Sequence, residues 1–231
     1  LIIYGKQCCN YILDNEKEFH KIYLSKKTVL DNKIFNKFRD KIDIIDNKKA
    51  QGLSRGGNHQ GILMEVDEYE PLDYKKAIAQ SGFIVILSEV TDVGNIGAII
   101  RTAYALGADA VIAAGVHALN YAAIARSSSA ALFESNFSVV FQTLDLINEL
   151  KQQNFTIYAA STGGEDLNTC NFAPKTALIL GSEGKGISGK ILKKADKKIT
   201  ITMQREFDSL NVSVAAGIMI HRIANDHTRV N

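Results

Sequence analysis

Phe83-Ile84-Val85-Ile86-Leu87-Ser88 leads, after three residues, into Asp92-Val93-Gly94-Asn95-Ile96-Gly97-Ala98-Ile99-Ile100-Arg101-Thr102-Ala103. The first run is apolar without alternation, as in a strand covered on both faces. The second carries two glycines, then Ile96, Ile99, Ile100 and Ala103 at three- and four-residue spacing. That spacing marks one buried face of a helix, expected over roughly Asn95–Leu106. A buried strand feeding a helix through a glycine turn is the unit of a parallel α/β sheet. In open α/β sheets ligands sit outside the carboxyl ends of the strands, so this turn is a candidate site. Asn95 and Arg101 lie six residues apart, about 9 Å of helical rise, and are not stacked neighbours. Arg101 is expected among apolar neighbours near the helix interior, where a charge needs a partner.

The alternation extends outward from this stretch. Strands are expected at Ala110–Ala113, Ser138–Phe141, Thr156–Ala160, Ala177–Leu180 and Lys198–Ile201. Helices are expected at Tyr121–Ser127, Leu144–Gln153, Ile187–Ala195 and Val212–Asn225. Upstream, Gly5–Leu13, Asn32–Lys41 and Lys48–Ser54 read as helices, and Lys21–Ser25, Ile42–Asp46 and Gly61–Val66 as strands. The acidic, proline-containing segment that starts at Asp67 reads as a linker. The chain is thus expected to be α/β throughout: a small unit over 1–66, a linker over 67–76, and a larger, mainly parallel domain over 77–231. Between the helix over Lys48–Ser54 and the strand over Gly61–Val66 lies Arg55-Gly56-Gly57-Asn58-His59-Gln60-Gly61, either a nucleic-acid contact loop or a mobile turn.

Net charge is +2 over 231 residues, unevenly placed. Residues 1–60 hold 12 Lys/Arg against 7 Asp/Glu, hence +5, and residues 61–231 hold 15 against 18, hence −3. A basic first quarter suits a polyanion partner, although a solvated lysine-rich surface reads the same way. No apolar run approaches the roughly 20 residues of a membrane span, and no cleavable signal pattern opens the chain. The chain starts at Leu1, as one that is trimmed or lacks its initiator would. Cys8, Cys9 and Cys170 have no metal-ligand or redox-motif spacing, so reduced thiols and a cytoplasmic protein without a metal are expected.

Two later turns repeat the strand-end pattern. Leu178-Ile179-Leu180-Gly181-Ser182-Glu183-Gly184-Lys185-Gly186-Ile187-Ser188 is a strand, a glycine loop and a helix start. Gly184 to Lys190 mimics a phosphate loop, but Ile191 follows where Ser or Thr would have to bind magnesium, which disfavours a nucleotide triphosphatase. No G-x-G-x-x-G follows a strand, which argues against an ordinary dinucleotide fold. The third turn is Ser209-Leu210-Asn211-Val212-Ser213-Val214-Ala215-Ala216-Gly217, after strand Ile199–Thr202 and the connector Met203–Asp208. Ser209 or Asn211 can cap the helix that follows. Val212, Ala215, Ala216, Met219, Ile220 and Ile223 form its apolar face.

Together, Asn95-x-Gly97-x-x-x-Arg101, Leu180-Gly181-Ser182-Glu183-Gly184-x-Gly186 and Ser209 to Ala216 resemble the motifs of the SpoU/TrmH family of RNA ribose 2′-O-methyltransferases, within the SPOUT superfamily. The resemblance covers residues 83–231. Residues 1–66 are similar to that family's optional ribosomal-protein-like RNA-binding domain, and His59-Gln60-Gly61-Ile62 also occurs in members that modify large-subunit ribosomal RNA. The resemblance implies a deep trefoil knot from about Leu178 onward, with S-adenosyl-L-methionine on its floor. It also implies a homodimer with the site near the interface and the helix over 212–225 contributing. By position, backbone groups of Gly181, Ile201 and Leu210 would hold the adenosine, lined by Leu180, Met203 and Ser209. Asn95, Arg101, Glu183, Ser209 and Asn211 would surround the ribose. Two departures stand out: Val93 where the family often has Pro, and Ser129 in the stretch Ser127–Ala131 where it often has Gly.

The implied reaction is in-line attack of a ribose 2′-hydroxyl on the sulfonium methyl group. The family proposal makes the arginine the base, yet arginine holds its proton strongly. Stabilising the alkoxide or holding the adjacent phosphate are equally open roles for Arg101. Glu183 is expected to orient Arg101 or relay the proton, and Ser209 and Asn211 to place the hydroxyl. The substrate is expected to be a guanosine of 23S ribosomal RNA, with transfer RNA as alternative. A catalytically silent RNA-binding protein on the same fold is the rival from another class.

Overall fold

Two sheets organise the protein, whose computed structural model describes residues 1–26, 28–205 and 208–228. Glu206 and Phe207 of the expected connector lie outside the described residues. The first sheet is mixed, with β1 (Ile2–Tyr4), β2 (Lys21–Ser25), β3 (Ile42–Ile45) and β4 (Ile62–Glu65) in the order β1-β4-β2-β3. β4 pairs antiparallel with β1 and β2, while β3 pairs parallel with β2. The helices of this module are α1 (Lys6–Asp14), α2 (Asn32–Lys37) and α3 (Asn47–Leu53). Asp31 and Asp46 cap α2 and α3 with side-chain oxygens. β1 has three residues, too few for an alternating pattern to mark it in the sequence. The helix expected over 32–41 is split, α2 being followed by a separate 3-10 turn at Arg39–Lys41.

α4 (Tyr74–Ala79) begins inside the expected linker, because Asp73 accepts from the N–H groups of Lys75 and Lys76, both at 3.1 Å. Beyond it, β5 (Phe83–Ser88), β6 (Ala110–Ala114), β7 (Phe137–Val140), β8 (Thr156–Asp166), β9 (Thr176–Gly181) and β10 (Lys197–Thr200) form the second sheet. Its order is β10-β8-β9-β5-β6-β7, and every pairing is parallel. All six residues of β5 and all five of β6 are buried, as continuous apolar runs require. Phe83, Val85 and Leu87 face one core with Ile96, Ile99, Ile100, Met219 and Ile223. Ile84 and Ile86 face the other, with Ile78, Leu146, Ile147 and Leu150.

The remaining helices are α5 (Val93–Ala105), α6 (Tyr121–Ser127), α7 (Thr143–Gln152), α8 (Gly189–Leu192) and α9 (Val212–Thr228). α8 is much shorter than the helix expected over 187–195. Ser188 and Gly189 are poor helix formers, and within α8 only Ile191 is buried. β8 runs past the expected Ala160. Its register with β10 jumps from Ala159 to Glu165, and Gly164 lies so close to the Lys198 backbone that a Cβ would meet it at 2.6 Å.

The two modules share a joint. The Arg126 Nε donates to the Asn58 carbonyl at 2.9 Å, and Gln60 accepts from the Lys6 N–H at 3.0 Å. His59 is buried, its Nδ1 facing the Gly61 N–H at 3.0 Å. Loop 55–61 is therefore pinned over part of its length, with Asn58 and Gln60 spent on holding the modules and α1 in place.

Candidate active site

The sheet order brings two of the three turns together before any side chain is considered. β5 and β9 are neighbours, and Ser88 pairs with Gly181 at their carboxyl ends. From β5 the chain moves to β6 on one side, and from β9 to β10 on the other. Such a reversal opens a crevice at the strand ends.

In the first turn, Asp92 caps α5 by accepting from the Asn95 N–H at 2.7 Å. The helix thus starts at Val93, slightly before the expected Asn95, and Asn95 stands half-buried on its first turn. Gly97 serves packing rather than turning. A Cβ there would lie 2.0 Å from the Ser127 Oγ and 2.7 Å from the Ser128 nitrogen. Ser127 ties the two helices by donating to the Val93 carbonyl at 2.7 Å.

The second turn folds back on its strand. The Gly186 N–H donates to the Ser182 carbonyl at 2.9 Å, and Gly184 and Gly186 have φ of 80° and 64°. Gly181 lies under this hairpin: a Cβ would be 2.3 Å from the Gly186 carbonyl carbon and 2.5 Å from the Ile187 nitrogen. Only glycine fits there, and the turn leaves Glu183 exposed at its tip.

Asn211 starts the third element and does two jobs. Its Oδ1 accepts from the Ser213 N–H at 2.9 Å and the Ser213 hydroxyl at 2.6 Å, so Asn211, not Ser209, caps α9. Its Nδ2 donates to the Asn95 Oδ1 at 3.1 Å and to the Glu183 Oε1. Asn95 in turn donates from Nδ2 to the same Glu183 oxygen at 3.1 Å. One residue from each turn thus meets in a closed triangle of hydrogen bonds. Ser209 is exposed and lies outside it.

Arg101 does not join that triangle. It is exposed rather than set among apolar neighbours, and Glu183 takes its hydrogen bonds from the two asparagines instead of orienting it. The Arg101 Nη1 donates to the Ser129 Oγ at 3.3 Å, and Ser129 donates to the Gln7 Oε1 at 3.1 Å. Neither Ser129 nor Gln7 stood out in the sequence as a site residue. The one available signal was Ser129 in the stretch Ser127–Ala131, where the family that the sequence resembles often has glycine.

The residues expected at the cofactor lie along the ends of β9 and β10. Leu180 is buried, while Gly181, Ile201, Met203 and Leu210 are half-buried. The segment after β10 is fixed by Asp166, which accepts from the Thr202 hydroxyl and from the Asn168 N–H at 2.7 Å. These bonds, the Thr202 one foremost, hold the Asp166 carboxyl below the usual carboxylate range. Half-exposed aliphatic and thioether side chains beside a glycine strand end suit a flat purine and its ribose. The residues present therefore fit an adenosyl group.

All three cysteines are free and buried. Burial pushes the Cys8 thiol up to about 12, Cys9 well above its ordinary value, and Cys170 to about 11. Among the described residues no group of His, Cys, Asp or Glu is arranged to hold a metal ion, and no helix is long and apolar enough to cross a membrane.

Residues 82–221 match the SpoU rRNA Methylase family, and residues 2–72 match the RNA 2′-O ribose methyltransferase substrate binding family. A putative TrmH family tRNA/rRNA methyltransferase of Bacillus subtilis is 28% identical over 96% of this chain and 94% of its own. A 23S rRNA (guanosine-2′-O-)-methyltransferase of Neisseria meningitidis is 27% identical over 94% and 92%. The chain spans only 62% of an uncharacterised Synechocystis tRNA/rRNA methyltransferase, at 28% identity. The crystal structure of the methyltransferase AviRb from Streptomyces viridochromogenes, in complex with the cofactor AdoMet, superposes with a TM-score of 0.78. That likeness covers 100% of this chain and 90% of the other at 21% identity, and so speaks for the fold. The family match spans both the parallel sheet and the turns that carry the hydrogen-bonded triangle, and the chain belongs to the SpoU family of RNA 2′-O-ribose methyltransferases.

Proposed function

We propose that this protein methylates the ribose 2′-hydroxyl of a guanosine in large-subunit (23S) ribosomal RNA, with S-adenosyl-L-methionine as donor. The observation that carries the reading is the Asn95–Glu183–Asn211 triangle, built from three turns at the crevice end of the sheet. The choice of RNA is supported by the substrate-binding match over residues 2–72 and by the named activity of the Neisseria relative.

Gly181, Ile201 and Leu210 hold the adenosine through backbone groups, with Leu180, Met203 and Ser209 lining the pocket. The bound cofactor supplies an electrophilic methyl group. Both asparagine bonds go to the Glu183 Oε1, which leaves Oε2 to accept from the 2′-hydroxyl and orient its oxygen for attack. Ser209 and Asn211 bracket that hydroxyl. Arg101 supplies fixed positive charge for the developing alkoxide and the neighbouring phosphate. RNA is preferred to DNA because the acceptor is the 2′-hydroxyl itself.

The basic module, residues 1–66, captures RNA through phosphate contacts, so affinity falls with salt. The chain from about Leu178 onward threads a trefoil knot, and two copies form a homodimer in the cytoplasm. The expected apolar face of α9 is already occupied inside the protomer, with Val212, Ala216, Met219, Ile220 and Ile223 buried. Val214 and Ile218, four residues apart and 51% and 42% exposed, are the apolar residues left for a partner copy.

Tritiated methyl transfer to separated 23S, 16S and transfer RNA tests the reading, followed by mapping of the 2′-O-methyl nucleotide. Incorporation into transfer RNA alone overturns the ribosomal assignment, and no incorporation into any RNA favours a silent binding protein. Arg101→Ala is expected to abolish transfer with cofactor affinity changed by no more than a few fold. Loss of cofactor binding in that variant refutes the assigned role.

A further inference from the structure

Ser129 occupies a position built for glycine. α6 ends with the Ser129 N–H bonded to the Arg126 carbonyl at 3.1 Å and the Ala130 N–H bonded to the Ala125 carbonyl at 2.8 Å. This pair of bonds requires a left-handed residue just past the helix, where glycine is the usual choice. Ser129 has φ of 53°, so its side chain carries a steric cost that glycine would not. Its hydroxyl is used in both directions. It accepts from the Arg101 Nη1 at 3.3 Å and donates to the Gln7 Oε1 at 3.1 Å.

Gln7 belongs to the other module. It sits in the first turn of α1, which Gln60 secures through the Lys6 N–H, while Arg126 fastens the Asn58 carbonyl beside it. The same six groups, Lys6, Gln7, Gln60, Arg101, Arg126 and Ser129, line a cavity of about 490 Å³ between the modules. A two-bond chain therefore runs from the substrate-binding module to the guanidinium.

We propose that Ser129 and Gln7 are positioning residues for Arg101, through which docking of the N-terminal module sets the aim of that guanidinium. The inference rests on the reading of Arg101 as the group that faces the reacting ribose. A long arginine side chain on an exposed helix face samples many rotamers, and two hydrogen bonds narrow them before RNA arrives. The module then contributes to the rate of methyl transfer and not only to RNA capture.

The test uses the full chain with Ser129→Gly, Gln7→Ala, the double variant, and Ser129→Asn. Asparagine tolerates the left-handed backbone and retains a donor and an acceptor. Ser129→Gly is expected to keep or raise the melting temperature and to bind cofactor and RNA within about two-fold of wild type. Its single-turnover rate is expected to fall about ten-fold, the size of losing a hydrogen bond to a charged group. The double variant loses no more than the worse single variant, because the bonds act in series. Ser129→Asn recovers most of the rate. Side-chain ¹⁵N exchange of Arg101, measured by NMR, is expected to be restricted in wild type and averaged in Ser129→Gly and Gln7→Ala. An unchanged rate, a loss confined to the KM for RNA, or Arg101 exchange identical in all variants overturns the inference. A wild-type chain that methylates no RNA counts against the proposed function alone, and the Arg101 exchange measurement still decides this point.

Discussion

Asn211 both starts a helix and closes the triangle, and two substitutions separate these jobs. Asn211→Ala removes the cap acceptor for the Ser213 N–H and both amide bonds. Loss of an N-cap costs about 1 kcal/mol, which lowers the melting temperature by roughly 2–4 °C for a chain of this size. Asn211→Asp keeps the cap, since aspartate serves as well at that position and favours the positive end of α9. It replaces the donor facing Glu183 with a second carboxylate oxygen. At roughly 3 Å in water-like surroundings two such charges repel by about 1 kcal/mol, an upper value for a pair as exposed as this one. The repulsion acts only when both carboxyls are charged, so protonation of either one removes it. Relative to wild type, stability is then retained at and below the ordinary carboxylate range of about 4, and lost as pH rises above it. Thermal melts of wild type and both variants at pH 4 and pH 8, with single-turnover methylation at pH 8, check this. Asn211→Asp is expected to melt with wild type at pH 4, to fall at pH 8, and to lose methyl transfer. Wild-type activity in Asn211→Asp at pH 8 refutes the donor role. A melting loss in Asn211→Asp at pH 4 equal to that of Asn211→Ala refutes the cap argument.

Gly181→Ala places a methyl group 2.3 Å from the Gly186 carbonyl carbon, so the hairpin must shift. A loss of about 1–3 kcal/mol in chemical denaturation and weakened cofactor binding by calorimetry are expected. Gly97→Ala meets the Ser127 Oγ at 2.0 Å and the Ser128 nitrogen at 2.7 Å. It is expected to destabilise by a similar amount, about 1–3 kcal/mol, with Ser127→Gly in the same chain restoring only part, because the nitrogen remains. The Phe172 N–H, and Arg222 beside it, hold the Asp226 carboxyl below the usual range. That group adds stability above the unfolded pKa of about 4 and loses it as pH falls through the lowered value, so wild type and Asp226→Asn should differ at pH 6 and converge near pH 2.

Where burial is two-sided or the period is clear, the sequence announced its structure. Lys21–Ser25, Phe83–Ser88 and Tyr121–Ser127 fold with the bounds read from it. Phe83–Ser88 is too short for a buried helix and rich in β-branched and aromatic residues, so a continuous apolar run there reads as a covered strand. β1 left no such mark, because Ile2–Tyr4 is a strand only through its pairing with β4. α8 failed for the opposite reason: an apolar and lysine-rich pattern suggested a helix that glycine and scarce burial cut to four residues. The placement of Arg101 was misjudged although the information was present. At about 100° per residue it lies roughly 150° from the centre of the face made by Ile96, Ile99, Ile100 and Ala103, and so points outward.

The triangle itself was only half legible. The three motifs could be recognised, but Asn95 and Asn211 are 116 residues apart, and no local pattern reports their contact. The contact follows from topology. β5 and β9 are adjacent and parallel, which forces their following turns to one edge. α9 packs its Ala216, Met219 and Ile223 into the core that holds Ile96, Ile99 and Ile100 of α5, and the methyl group of Thr102 would sit 3.7 Å from a Cβ at Gly217. Small residues on α9 thus let its first turn come alongside that of α5, and the cap of one helix reaches the first-turn amide of the other. The polar residues at the start of α9 and the small ones after it are two parts of one requirement: the small ones set the approach, and the approach lets Asn211 reach Glu183. A substitution that pushed the helices apart, such as Gly217→Leu, is therefore expected to break the Asn95–Asn211 bond without touching either residue. Its measure is a loss of methyl transfer with the motif side chains all intact, and unchanged transfer would show that helix approach does not govern the site.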